Sequence, residues 1–147
     1  MKMKRVTQKS KTIYGLKVRT TNEKEMNPET AKIGGLWGEY FSTILPTLPN
    51  STQMYGVYAN YESDAFGVFD VFAGSEIVND ALEKVTLSEG NYLCFKAKGE
   101  LPQAVIETWG EIWAYFSDEH CKEIRTFKSD YELYLSENEA EIYIGVE

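Results

Sequence analysis

The chain has 147 residues, 43% of them hydrophobic, with a formal net charge of −8. That length and apolar share support a folded core and exclude a disordered chain. The acid excess excludes a surface built for direct nucleic-acid binding and favours cationic partners, and no apolar run reaches membrane-spanning length.

Met1 to Ser10 is polar and basic, with Lys2, Lys4, Arg5 and Lys9. It lacks the apolar run of a signal peptide, so the expected location is the cytoplasm and the stretch reads as a solvated tail. Thr12 to Thr20 alternates apolar and polar residues and predicts a strand. Asn27-Pro28-Glu29 has the composition of a helix start, a capping residue followed by Pro and an acid. Ile33, Leu36, Trp37, Tyr40 and Phe41 then follow helical spacing up to Pro46. Gly34, Gly35 and Gly38 weaken that helix but permit close packing. Gln53 to Asn60 and Phe66 to Phe72 predict two strands. Residues 76–89 read as a polar connector with a short helical turn near Asp80 to Lys84.

The second half repeats this order. Asn91 to Lys98 predicts a strand, and Pro102 opens a helix with Val105, Ile106, Trp109, Ile112, Trp113 and Phe116 on its apolar face. Tyr131 to Leu135 and Glu141 to Val146 predict strands around a polar turn. An offset of 76 residues carries Trp37 to Trp113, Tyr55 to Tyr131 and Tyr58 to Tyr134. The predicted fold is therefore α+β. Residues 1–147 form one domain of two tandem strand-helix-strand-strand repeats, about 12–75 and 90–147, with pseudo-two-fold symmetry. They share an antiparallel sheet, with two main helices and a central cleft.

At the same offset Gly56 answers Glu132, a carboxylate in mid-strand where Glu is disfavoured. One wall of the cleft is thus open and the other charged. Strand alternation puts Asp130 and Tyr134 on the face of Glu132. A carboxylate among rings can hold a lipophilic cation by charge and by cation–π contact. A Glu on a solvent-facing strand is the alternative. Cys94 reads as a small core residue. His120 and Cys121, with Asp118 and Glu119, read as a surface loop, so no metal and no cofactor are expected, and no nucleophile is flagged.

The two strand-helix-strand-strand units, Leu36-Trp37, Tyr55-Gly56-Val57-Tyr58, Tyr131-Glu132-Leu133-Tyr134-Leu135 and the closing Glu141 to Val146 together resemble the gyrase-inhibitor-like, or bacterial effector-binding, domain of AraC-type and MerR-type regulators. The resemblance spans Thr12 to Val146. It implies a cleft that binds lipophilic cations and drug-like molecules, with Glu132 as the key acid and Tyr134 and Tyr143 as its aromatic partners. Trp37, Tyr58, Trp109 and Trp113 are implied beside them. Gly145 departs from the family's closing Pro, which implies a looser last strand. No helix-turn-helix precedes the ligand module in this sequence, so the chain resembles the stand-alone members, some of which travel on mobile gene cassettes. A regulatory protein partner is one implied destination of the signal. The family also leaves open a hydrolase, with Glu132 as base and Tyr134 or Tyr143 as acid, and a protein-interaction module like the gyrase inhibitor.

Overall fold

A computed structural model describes residues 3–147, so Met1 and Lys2 lie outside it. In chain order it contains β1 (Met3–Gln8), β2 (Lys11–Thr20), α1 (Asn22–Glu25), α2 (Ile33–Glu39), β3 (Met54–Ala59), β4 (Phe69–Ser75), β5 (Glu83–Leu87), β6 (Gly90–Lys98), α3 (Gln103–Ser117), β7 (Arg125–Ser136) and β8 (Glu139–Val146). The strands form one eight-stranded antiparallel sheet, in the order β1-β6-β8-β7-β3-β4-β2-β5. Exchanging β1 to β4 for β5 to β8 leaves that order unchanged. The pseudo-two-fold axis therefore passes between β3 and β7, where Gly56 pairs directly with Glu132.

Each repeat has one strand more than its hydrophobic pattern suggests. Lys4 and Arg5 are not in a solvated tail but on β1, an edge strand paired with β6. The expected connector contains β5, a strand rather than a helical turn, which pairs with β2. The first strand of each repeat thus pairs with the second strand of the other. Such partners are far apart in sequence, so no hairpin signal marks them.

The main helices share one face of the sheet because residues alternate across each strand. α3 packs on β6 and β8, burying Val105 and Ile112 against Phe95, Ile142 and Ile144. α2 packs on β2 and β4, burying Leu36 and Tyr40 against Phe69, Val71 and Ala73. These are two separate lobes, and the seam between β3 and β7 runs between them. The opposite face has its own core, with Tyr55, Val57, Phe72, Tyr92, Cys94, Tyr131 and Tyr143. β5 bends over that face to meet β7, and the Ser88 N–H donates to Ser129 Oγ at 2.9 Å.

α2 does not begin at Asn27. The Asn27 side chain accepts from the Glu29 N–H at 2.9 Å and closes a separate turn. The helix starts at Ile33, where the Glu25 carboxylate accepts from the N–H groups of Lys32 at 2.9 Å and Ile33 at 3.1 Å. A carboxylate suits a helix start because four N–H groups there lack intrahelical partners. A Cβ placed on Gly34, Gly35 or Gly38 would meet nothing within 4 Å, so close packing does not account for these glycines. Beyond Glu39 the helix widens into a π turn over Tyr40–Ile44.

Candidate functional site

Glu132 lies on β7 at the seam, facing the helices, and is only 2% exposed. Its Oε2 accepts from the Tyr58 hydroxyl at 2.8 Å and from the Trp109 indole N–H at 2.7 Å. Its Oε1 accepts from the Tyr134 hydroxyl at 2.6 Å. Both repeats contribute to this shell, Tyr58 from β3 and the other two from α3 and β7. All three donors are neutral. Among the described residues no Lys, Arg or His forms an ion pair with Glu132. Burial pushes its carboxyl above the ordinary value, and the bonds from Tyr134, Trp109 and Tyr58 pull partly back. Tyr58 and Tyr134 are pushed upward, first by burial and then by the Glu132 charge, so they stay protonated donors.

Gly56 makes room for this carboxylate. A Cβ there would lie 2.7 Å from Glu132 Oε1 and 3.1 Å from Trp37 Cζ2. The open wall opposite the charged one is therefore a steric requirement of the buried acid.

The aromatic rings repeat about the axis, but with a shift in the helices. Trp37 packs edge-on against Tyr134, and Trp109 packs edge-on against Tyr58, each with ring centroids 5.3 Å apart. Since Tyr58 and Tyr134 are equivalent, the counterpart of Trp37 is Trp109, not Trp113 as the constant offset predicts. The helices are out of step by one turn. Trp113 lies further out, where the exposed Phe66 meets its ring edge.

Tyr143 is not part of this cluster. It lies on the opposite face, stacked on Tyr131 at 4.5 Å, and its hydroxyl donates to Glu141 at 2.9 Å. The residue opposite Glu132 on β8 is Ile142. A register shift between Tyr134 and Ser136 causes this. Continuing the pairing of Ser136 with Glu139 without the shift would set Tyr143 against Glu132. One extra residue exchanges the faces.

A cavity of about 150 Å³ adjoins the Tyr58 and Trp109 side of the cluster. Trp113, Tyr61, Glu25 and Arg125 also line it. The long β3–β4 connection, residues 60–68, walls it, whereas the equivalent β7–β8 connection is a two-residue turn, 137–138. Tyr61 and Arg125 escape a reading of the sequence. Both are anchored by Asp130, which is fully buried and accepts from Tyr61 at 2.6 Å and from Arg125 Nη2 at 2.7 Å. The one available signal is the position of Asp130, two residues before Glu132 and on the same face. Asp130 also accepts from the Gly145 N–H at 2.8 Å. A proline at 145 has no N–H to give. The Gly145 N–H is therefore used here, and β8 stays paired from Glu139 to Val146 rather than loosening at its end.

The chain is similar to several known proteins. A family model described as Cass2, integron-associated effector binding protein, matches residues 6–146. The integron cassette protein VCH_CASS2 from the mobile metagenome of Vibrio cholerae is 42% identical, with 99% of this chain and 95% of that chain covered and a TM-score of 0.92. YobU of Bacillus subtilis (strain 168), a candidate transcriptional regulator, is 29% identical over 133 residues, covering 84% of this chain and 81% of its own length. SAV2435, solved with tetraphenylphosphonium bound, shares the fold with a TM-score of 0.77 at 21% identity, covering 100% of this chain and 94% of that one. No helix among the described residues is long and apolar enough to cross a membrane.

Proposed function

Because the chain belongs to the Cass2 family of integron-associated effector-binding proteins, we propose that its effector is a lipophilic or aromatic organic cation. Glu132 neutralises the charge, and Trp37, Tyr58, Trp109 and Tyr134 supply the aromatic walls.

One observation carries this reading: the buried carboxylate has three neutral donors and no cationic partner among the described residues. Neutral hydrogen bonds satisfy its lone pairs but leave its charge uncompensated, and holding such a charge away from water costs several kcal/mol. A cation entering the cluster compensates that charge, and its hydrocarbon surface is received by rings whose faces are electron-rich. A neutral ligand of the same shape gains only the apolar contact, so the site selects for charge. The tetraphenylphosphonium on SAV2435 is a ligand of this chemistry on the same fold. The cavity of about 150 Å³ is smaller than the usual ligand pocket of about 300–1,000 Å³. A multi-ring cation therefore enters by parting Tyr58 and Trp109 from Glu132, the point at which those two donors can be exchanged for one charge. Capture by such a protein sequesters the compound or passes its presence to a regulatory partner.

Tryptophan emission tests the reading. Trp37 and Trp109 belong to the ring cluster around Glu132, and Trp113 lines the cavity. A quaternary ammonium or rhodamine dye is expected to quench that emission saturably. Saturable binding with unchanged emission would place the dye elsewhere on the protein.

A further inference from the structure

The two halves of the cleft carry equivalent rings under unequal cover. The helices repeat one string, Trp37-Gly38-Glu39 in α2 and Trp109-Gly110-Glu111 in α3. This aligns Phe41 with Trp113, each four residues beyond its tryptophan and so one turn further along the same face. Trp113 lines the enclosed cavity, which the β3–β4 connection walls. Phe41 is 48% exposed, and the equivalent β7–β8 connection, the two-residue turn 137–138, is too short to build a wall. The Phe41 ring packs on Trp37, with centroids 5.6 Å apart and planes tilted by 34°. Trp37 in turn packs edge-on against Tyr134, whose hydroxyl donates to Glu132 Oε1. Trp37 and Phe41 thus form an aromatic shelf on the Oε1 side of the acid, while Tyr58 and Trp109, which line the cavity, hold its Oε2. The shelf also falls on the irregular part of its helix. Phe41 lies in the π turn Tyr40–Ile44, whereas α3 stays α-helical from Gln103 to Ser117. π turns inside helices are frequent at functional sites.

We infer that this shelf is a second subsite of the cleft, with Phe41 as its specificity-determining residue, and that the preferred effectors carry their charge between two aromatic arms. The inference rests on the proposed function above and narrows its ligand class from lipophilic cations to two-armed ones. The cavity of about 150 Å³ has the size known to hold one benzene ring. A multi-ring cation with one ring in that cavity must seat its next ring elsewhere. Its charge answers Glu132 at the seam between the repeats, so the second arm falls on the wall of the other repeat. There Trp37 and Phe41 offer rings at aromatic contact distance. Phe41 is half open to water, and the arm covers apolar surface that the empty protein leaves exposed.

The test uses two ammonium ions that carry the same charge and differ by one ring, benzyltrimethylammonium and dibenzyldimethylammonium. Each is titrated by calorimetry into wild-type protein, Phe41→Ala, Phe41→Leu and Glu132→Gln. The expected result is that wild-type protein binds the two-armed ion about tenfold more tightly than the one-armed ion. In Phe41→Ala the preference is expected to fall to about twofold, the statistical factor for two equivalent arms of which either can enter the cavity. Phe41→Leu keeps apolar bulk without the ring, so its preference is expected between those values, and it carries the comparison if the alanine variant does not fold. A wild-type preference of about twofold or less, or a larger one that neither variant reduces, overturns the inference. In either case, binding of the one-armed ion that is lost in Glu132→Gln leaves the cation reading standing, and only the role of Phe41 falls. Binding of neither ion by wild-type protein overturns both.

Discussion

Gly56 and Glu132 face each other across the seam between β3 and β7, and a Cβ on Gly56 would stand 2.7 Å from the Glu132 carboxylate. The same Cβ would press on Trp37 at 3.1 Å. Gly56→Ala is therefore expected to cost about 1–3 kcal/mol, the usual range for overpacking. It is also expected to weaken cation binding, because Glu132 Oε1 must leave its bond to Tyr134. In a Glu132→Ala background the same change is expected to cost less. Denaturant unfolding of the four proteins in the cycle measures the coupling. Additive costs would mean that Gly56 and Glu132 do not constrain each other.

Removing the charge is expected to stabilise the empty protein. Burial raises the Glu132 carboxyl above its unfolded value. The folded state then holds that proton more tightly than the unfolded chain does. The stabilising contribution of this group is therefore complete below the ordinary Glu range and is lost as pH rises through the raised folded value. At neutral pH Glu132→Gln should unfold at higher temperature, by roughly 2–4 °C for each kcal/mol gained. The gap should close on acidification. A variant less stable than wild type at neutral pH would mean that the carboxylate and its three donors hold the apoprotein together.

The donors set the pH at which the site becomes charged. Tyr134, Trp109 and Tyr58 each pull the Glu132 carboxyl downward. Tyr58→Phe or Tyr134→Phe should raise it further. A proton and an organic cation compete for the same carboxylate, so cation affinity falls as pH drops through that value. Each variant should move the midpoint of this loss to higher pH. Dye titrations across pH 4 to about 8 cover the interval in which a raised Glu ionises. An unmoved midpoint would detach the hydroxyls from the chemistry of Glu132.

The heart of the site was legible because symmetry made it so. The constant offset put Gly56 against Glu132 without any knowledge of strand pairing, and the structure pairs them directly. What stayed hidden depended on register or on distant partners. Tyr143, which only the family resemblance set beside Glu132, lies on the opposite face, where one irregular residue in the β7–β8 hairpin puts it. Trp109 and Trp113 are one helical turn apart on one face, so spacing alone could not choose the counterpart of Trp37. β1 and β5 carry little hydrophobic pattern because both are edge strands, largely exposed. The Arg125–Asp130–Tyr61 group spans the bulged start of β7 and the β3–β4 connection, and no local motif joins those segments.

The central claim is that Glu132 recognises charge, and matched ligands test it most directly. An aryl-trimethylammonium and its neutral tert-butyl counterpart have nearly the same shape. Titrating both into wild type and Glu132→Gln, at low and high salt, separates charge from fit. A desolvated, charge-assisted contact is worth roughly 1.5–3 kcal/mol, or about tenfold to a hundredfold in affinity. The expected result is a loss of that size for the ammonium alone, persisting at high salt because a buried pair is poorly screened. Equal losses for both ligands, or a loss of under about 1 kcal/mol that fades with salt as exposed pairs do, would contradict the account.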